Sequence, residues 1–95
     1  MGHPQGAAFY REMGGRLREI REGLAGDKGA SEFARRLGIP EKTWLNYEAG
    51  CAIPAEILLQ FVELTGVEPG WLQHGRGPKF RRATRSSWLR TFLLH

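Results

Sequence analysis

The chain has 95 residues, of which 41% are apolar and 25% charged, which suffices for one packed domain and leaves little for a second. A single cysteine, Cys51, excludes an internal disulfide and a cysteine-based zinc cluster, and no apolar run approaches the roughly 18 residues that span a bilayer. The net charge of +4 is unevenly spread: residues 1–38 carry seven basic and five acidic side chains, residues 39–78 two and five, and residues 79–95 five and none.

A basic tail on a near-neutral body fits contact with nucleic acid or another polyanionic surface, and equally a solvated arm. The opening "MGHPQGAA" lacks the apolar core of a secretory signal, and one cysteine suits a reducing compartment. The expectation is a cytoplasmic protein with a flexible segment over residues 1–8, a domain over residues 9–77 and an extension over residues 78–95.

The first periodic segment runs from Phe9 to Leu24, with Phe9, Met13, Leu17, Ile20 and Leu24 forming the stripe of an amphipathic helix. Gly14 and Gly15 each cost roughly 1 kcal/mol relative to Ala inside a helix, so the helix is expected to begin near Gly15. Gly26, Asp27 and Gly29 end it. A second helix, Ala30 to Leu37, closes at Gly38, which suits a left-handed terminal residue. Pro40 then fits the first position of a third helix that reaches about Ala49. Pro54 opens a fourth, "PAEILLQFVELTG", and Pro69 a fifth, "EPGWLQHG". No run alternates long enough for a strand, so the fold class is an all-α bundle of five short helices.

The stretch "FARRLGIPEKTWLNYEAG" joins two helices by a short turn containing glycine, the pattern of a helix-turn-helix unit. Ala34 is small where the two helices cross, Gly38 reverses the backbone without a Cβ, and Trp44 faces inward with Ile39 and Tyr47 beside it. With the flanking "GRLREIREGL", "IPAEILLQFVELTG" and "VEPGWLQHG", the region from roughly Gly15 to Gly77 resembles the lambda-repressor/Cro-like (XRE-type) helix-turn-helix family.

The resemblance implies a compact five-helix DNA-binding domain that acts as a dimer and lays its third helix in the major groove of double-stranded DNA. Carried onto this chain, it turns Glu41, Lys42, Leu45 and Asn46 outward. Lys42 can donate to guanine, Asn46 pair with adenine, Glu41 accept from cytosine, and Leu45 pack on a thymine methyl. Thr43 is placed for a phosphate oxygen, and Glu48 for a bond within the bundle.

In the extension, Lys79, Arg81, Arg82 and Arg85 are candidate phosphate contacts, which add affinity without reading sequence. Ser86 or Ser87 can cap a short helix with Trp88, Leu89, Phe92 and Leu93 on one side. Ten residues do not hold as an isolated helix in water, so these side chains need a surface: their own domain, a second protomer or another protein. A dimer contact is the expectation, since most homo-oligomers are twofold.

His3, His74 and His95 lack ligand spacing, "GGRL" lacks the signature of a phosphate loop, and no serine has an activating base in motif context. The expectation is no enzyme, no metal and no cofactor. The chain reads as a DNA-binding transcriptional regulator, a repressor on a two-part operator. The alternative is a protein-interaction adaptor or antitoxin with the same fold, suggested by the acidic central segment, by Ala30 where the family often has a phosphate-bracing Gln, and by the apolar C-terminal segment.

Overall fold

Helix α1 runs unbroken from Pro4 to Ala25, 22 residues and about 33 Å, in a computed structural model that describes residues 4–26 and 29–81. Residues 4–8, expected as a flexible segment, therefore form its first turns, and the helix does not wait for Gly15. Proline is tolerated in a first turn because its missing N–H has no helical partner there, and Ala7 and Ala8 are strong helix formers. The stripe falls where the periodicity places it, with Met13, Leu17 and Ile20 each about 1% exposed.

Helices α2 (Gly29–Leu37), α3 (Glu41–Glu48), α4 (Ala55–Thr65) and α5 (Pro69–His74) follow, so the fold is all-α. Pro40 and Pro54 are not the first helical residues but stand one position outside. Both are extended, at φ −64°, ψ 148° and φ −62°, ψ 146°. Their carbonyls accept the first helical bonds, from the N–H groups of Trp44 and Leu58. A cap residue needs non-helical ψ, and at that place a missing N–H costs nothing. Pro69 does open its helix from within, after Glu68 as the cap.

The core is one cluster to which every helix contributes. Around Met13, Leu17 and Ile20 lie Phe33, Ala34 and Leu37 from α2, Trp44 from α3, Phe61 and Val62 from α4, and Leu72 from α5. Three rings form its centre: Trp44 stacks on Phe61 at 5.3 Å and 25°, and Phe33 lies 5.9 Å from Trp44 and 5.8 Å from Phe61. Such aromatic pairs add about 0.5–1.5 kcal/mol each beyond the area they bury.

Buried polar groups are matched. The Thr65 hydroxyl donates to the Phe61 carbonyl at 2.8 Å and accepts from the Val67 N–H at 3.2 Å. Arg16 reaches from α1 to donate to the Leu72 and Gln73 carbonyls, satisfying the open end of α5. The chain then returns to the body beyond residue 77, the expected end of the domain. Glu68 N–H donates to the Lys79 carbonyl at 2.9 Å and Arg81 N–H to the Gly66 carbonyl at 2.8 Å, around an isolated antiparallel bridge of Val67 with Phe80. Among the described residues there is no strand beyond that bridge, and no helix is long and apolar enough to cross a membrane.

Candidate nucleic-acid interface

The connection between α2 and α3 is three residues, Gly38 to Pro40. Gly38 has φ +72°, a left-handed conformation that costs an L side chain roughly 1–2 kcal/mol. Its N–H donates to the Arg35 carbonyl, and the Ile39 N–H reaches back to the Ala34 carbonyl at 3.0 Å. These two hydrogen bonds close α2 and fix the direction in which α3 departs. Ala34 lies beneath the turn at 2% exposure, and Ile39 packs half-buried on the core.

Helix α3 is held from one side. Trp44 is fully buried, and Tyr47, half-buried, meets it edge-on at 6.5 Å. The indole N–H donates to the Glu48 carboxylate, and that carboxylate also accepts two bonds from Arg21 of α1, Nε to Oε2 at 2.9 Å and Nη2 to Oε1 at 2.7 Å. Both side chains of this ion pair are only 6% exposed. The expected role of Glu48 within the bundle is thus observed, with the α3 tryptophan and α1 as its partners.

The α1 backbone lies directly against the end of α3. A Cβ built on Gly14 would stand 2.6 Å from the carbonyl oxygens of both Tyr47 and Glu48, so only glycine lets the helices approach this closely. Gly14 and Arg21, seven residues apart and hence on one face of α1, together clamp α3 by contact and by charge.

The opposite side of α3 is open. Glu41, Lys42, Leu45 and Asn46 are all exposed and Thr43 is half-buried. At spacings of one, four and five, the four exposed residues fall within a single arc of the helix, facing away from Trp44 and Tyr47. The set offers one cation, one anion, one amide and one apolar side chain. On its flank, a cleft of about 290 Å³ between α1 and α3 is lined by Arg18, Arg21, Leu45, Glu48 and Ala49.

Neighbouring cations are mostly engaged. Arg18 bonds Glu22 at 3.0 Å, and Arg35 and Arg36 both bond Glu32. The Arg36 hydrogen bond holds the Glu32 carboxyl below its ordinary range, against a smaller opposing effect of burial and with Arg35 adding to the lowering. Lys79 sits on the body, its Nζ 2.6 Å from Glu19 and 5.2 Å above the Trp71 ring. Arg81 is tied through its main chain to Gly66. Arg82 and Arg85, and the apolar set Trp88, Leu89, Phe92 and Leu93, lie outside the described residues. Among the described residues no group of His, Cys, Asp or Glu could hold a metal ion, and Cys51 is free and exposed.

Comparison with protein-family models, with curated proteins and with solved structures gives no match for this chain.

Two residues that position the face escape a reading by type alone. Arg21 sits among the arginines of α1 and reads as solvated, but it is four residues from Leu17 and so belongs to the buried stripe. Gly14 reads as a helix weakness until its place one step from Met13, on the side toward α3, is considered.

Proposed function

We propose that this chain is a sequence-specific double-stranded DNA-binding regulator, a repressor that binds a two-part operator as a homodimer in the manner of the lambda-repressor/Cro-like family. The observation that carries this reading is the asymmetry of α3. One side is locked by Trp44, Glu48 and the Gly14 approach, while the other presents Glu41, Lys42, Leu45 and Asn46 on a short, rigid helix. Base readout requires such a set: donors and acceptors for base edges, an apolar contact for a thymine methyl, and fixed geometry. The short α2–α3 connection and the sequence likeness over Gly15 to Gly77 support the same assignment.

The electrostatics favour one rival. Lys42 is the single cation of the exposed α3 face, Glu41 stands beside it, and residues 39–78 carry five acidic and two basic side chains. A net-acidic segment beside phosphates lowers affinity, so the rival is a protein-interaction adaptor or antitoxin that uses α3 against another protein. Selection of bound duplexes from a random pool, at two salt concentrations, separates the two. A regulator enriches a two-part motif with half-sites about one helical turn apart. Binding without enrichment, or no binding, removes the proposed readout.

A further inference from the structure

We propose that Arg11 and Arg18 of α1 grip duplex phosphates at the edge of the α3 face, an inference that rests on the DNA-binding reading and supplies phosphate contacts it needs. The pair adds affinity and fixes orientation without reading sequence.

The seam between α1 and α3 places the two arginines. Gly14 meets the Tyr47 and Glu48 carbonyls, and Arg21 bonds the Glu48 carboxylate. Arg11 and Arg18 each stand three residues before one of these, about 60° round the helix on the same side. Both are exposed. The Arg11 stem lies against the end of α3, where a Cβ built on Gly50 would stand 2.9 Å from its Cγ. Arg18 shares the cleft of about 290 Å³ with Leu45 and Ala49. The two therefore border the α3 face, about 10 Å apart along α1. One DNA strand carries a phosphate about every 3.4 Å of axis, so each arginine can serve a different phosphate.

Their charge is available. Arg11 makes no ion pair among the described residues. Arg18 is paired with Glu22 one turn on, with side chains 63% and 40% exposed, and so open a pair holds an arginine weakly. Arg35 and Arg36, by contrast, share Glu32, and Arg21 is neutralised by Glu48 inside the bundle. A helix lying in a groove has phosphates along its flanks. Lys42 is the single cation of the exposed α3 face, and residues 39–78 carry five acids against two bases, so further cations must come from a neighbouring element. An arginine can give a phosphate two parallel hydrogen bonds.

The other side of α1 provides a comparison. Arg16 points about 150° round the helix from Arg11 and Arg18 and donates to the Leu72 and Gln73 carbonyls of α5. Arg76, exposed just past α5, thus lies on the side of α1 away from the α3 edge.

The test is fluorescence anisotropy with the full chain, on a selected operator duplex and a random one, from about 50 to 200 mM salt. Arg11→Gln and Arg18→Gln should each weaken both duplexes by the same factor. Each should lower the slope of log affinity against log salt by about 0.9, and the double change by about 1.8. Arg11→Lys and Arg18→Lys keep the charge and with it the slope, and Arg76→Gln leaves the slope unchanged. Equal slopes in the parent and the Arg11→Gln and Arg18→Gln proteins overturn the pair and leave the DNA-binding reading standing. So does an equal fall for Arg76→Gln, which would make the effect one of net charge. A parent that binds neither duplex overturns the DNA-binding reading itself, and the pair with it.

Discussion

The Arg21 guanidinium of α1 grips the Glu48 carboxylate of α3 with two hydrogen bonds, at 2.7 and 2.9 Å, in a site where both side chains are 6% exposed. The remaining guanidinium capacity is used in part by the Gly26 carbonyl at 3.2 Å, and the Trp44 indole completes the carboxylate. A pair this enclosed contributes little net stability, but removal of one partner strands the other charge. Glu48→Ala or Arg21→Ala is therefore expected to lower unfolding free energy by about 3–5 kcal/mol. Arg21→Ala combined with Glu48→Ala should lose much less than the sum of the two single changes, since neither charge is then left stranded. Denaturant titrations of the four proteins check this, and strict additivity would show the two residues acting independently.

The two adjacent glycines of α1 should respond in opposite directions to the same change. Gly15→Ala adds a methyl to open space on an exposed helical position, so it should stabilise by up to about 1 kcal/mol. Gly14→Ala gains the same helix propensity but drives a Cβ to 2.6 Å from two carbonyl oxygens of α3. Neither is the end of a flexible side chain, so the helices must separate, at a cost of about 1–3 kcal/mol. Thermal melts of the two variants decide it. A stabilised Gly14→Ala protein would mean that α1 and α3 do not meet so closely.

Periodicity and helix punctuation carried most of the architecture. Met13, Leu17 and Ile20 announce the buried side of α1, and Gly38 and Pro69 mark helix limits through backbone chemistry that holds regardless of tertiary context. The outward set on α3 came from the family resemblance, and the four residues it names, Glu41, Lys42, Leu45 and Asn46, are exposed while Trp44 is buried and Tyr47 half-buried. What escaped depends on contacts between segments far apart in sequence. Gly14 looks unfavourable until the α3 carbonyls are beside it. Arg21 looks solvated until Glu48, 27 residues away, meets it. Lys79 reads as a free phosphate contact, and its neighbours Glu19 and Trp71 lie 60 and eight residues back.

Glu32 should give the protein a small acid-sensitive term. Hydrogen bonding from Arg36, with Arg35 adding to it, keeps its carboxyl ionised to lower pH in the folded chain than at its ordinary value of 4.5. Its contribution is thus complete above that value and fades as pH falls through the lowered folded one. The side chain is 31% exposed, so solvent screening limits each pair to a few tenths of a kcal/mol. Glu32→Gln should be slightly less stable than the parent at pH 7, with the difference shrinking as the pH falls below 4.5 and through the lowered folded-state value. An NMR titration of the Glu32 side-chain carboxyl reads the shift directly, and a midpoint at or above 4.5 contradicts it.

The sharpest separation of readout from general attraction compares Asn46 with Glu19. Asn46 is exposed on α3, and Asn46→Ala removes an amide without altering charge or the buried side of the helix. On a selected operator it should cost about 1–3 kcal/mol and relax choice at one base pair, leaving affinity for random DNA unchanged. Glu19 is distant in role: it holds Lys79, whose Nζ lies 2.6 Å away. Glu19→Gln removes that restraint and one negative charge, so it should strengthen binding to operator and random DNA alike and steepen the salt dependence by up to about one phosphate. Fluorescence anisotropy over a series of salt concentrations, with both duplexes, measures each effect. An equal loss on both duplexes for Asn46→Ala would remove that residue from the readout, and an unchanged salt slope for Glu19→Gln would place Lys79 outside the phosphate contacts.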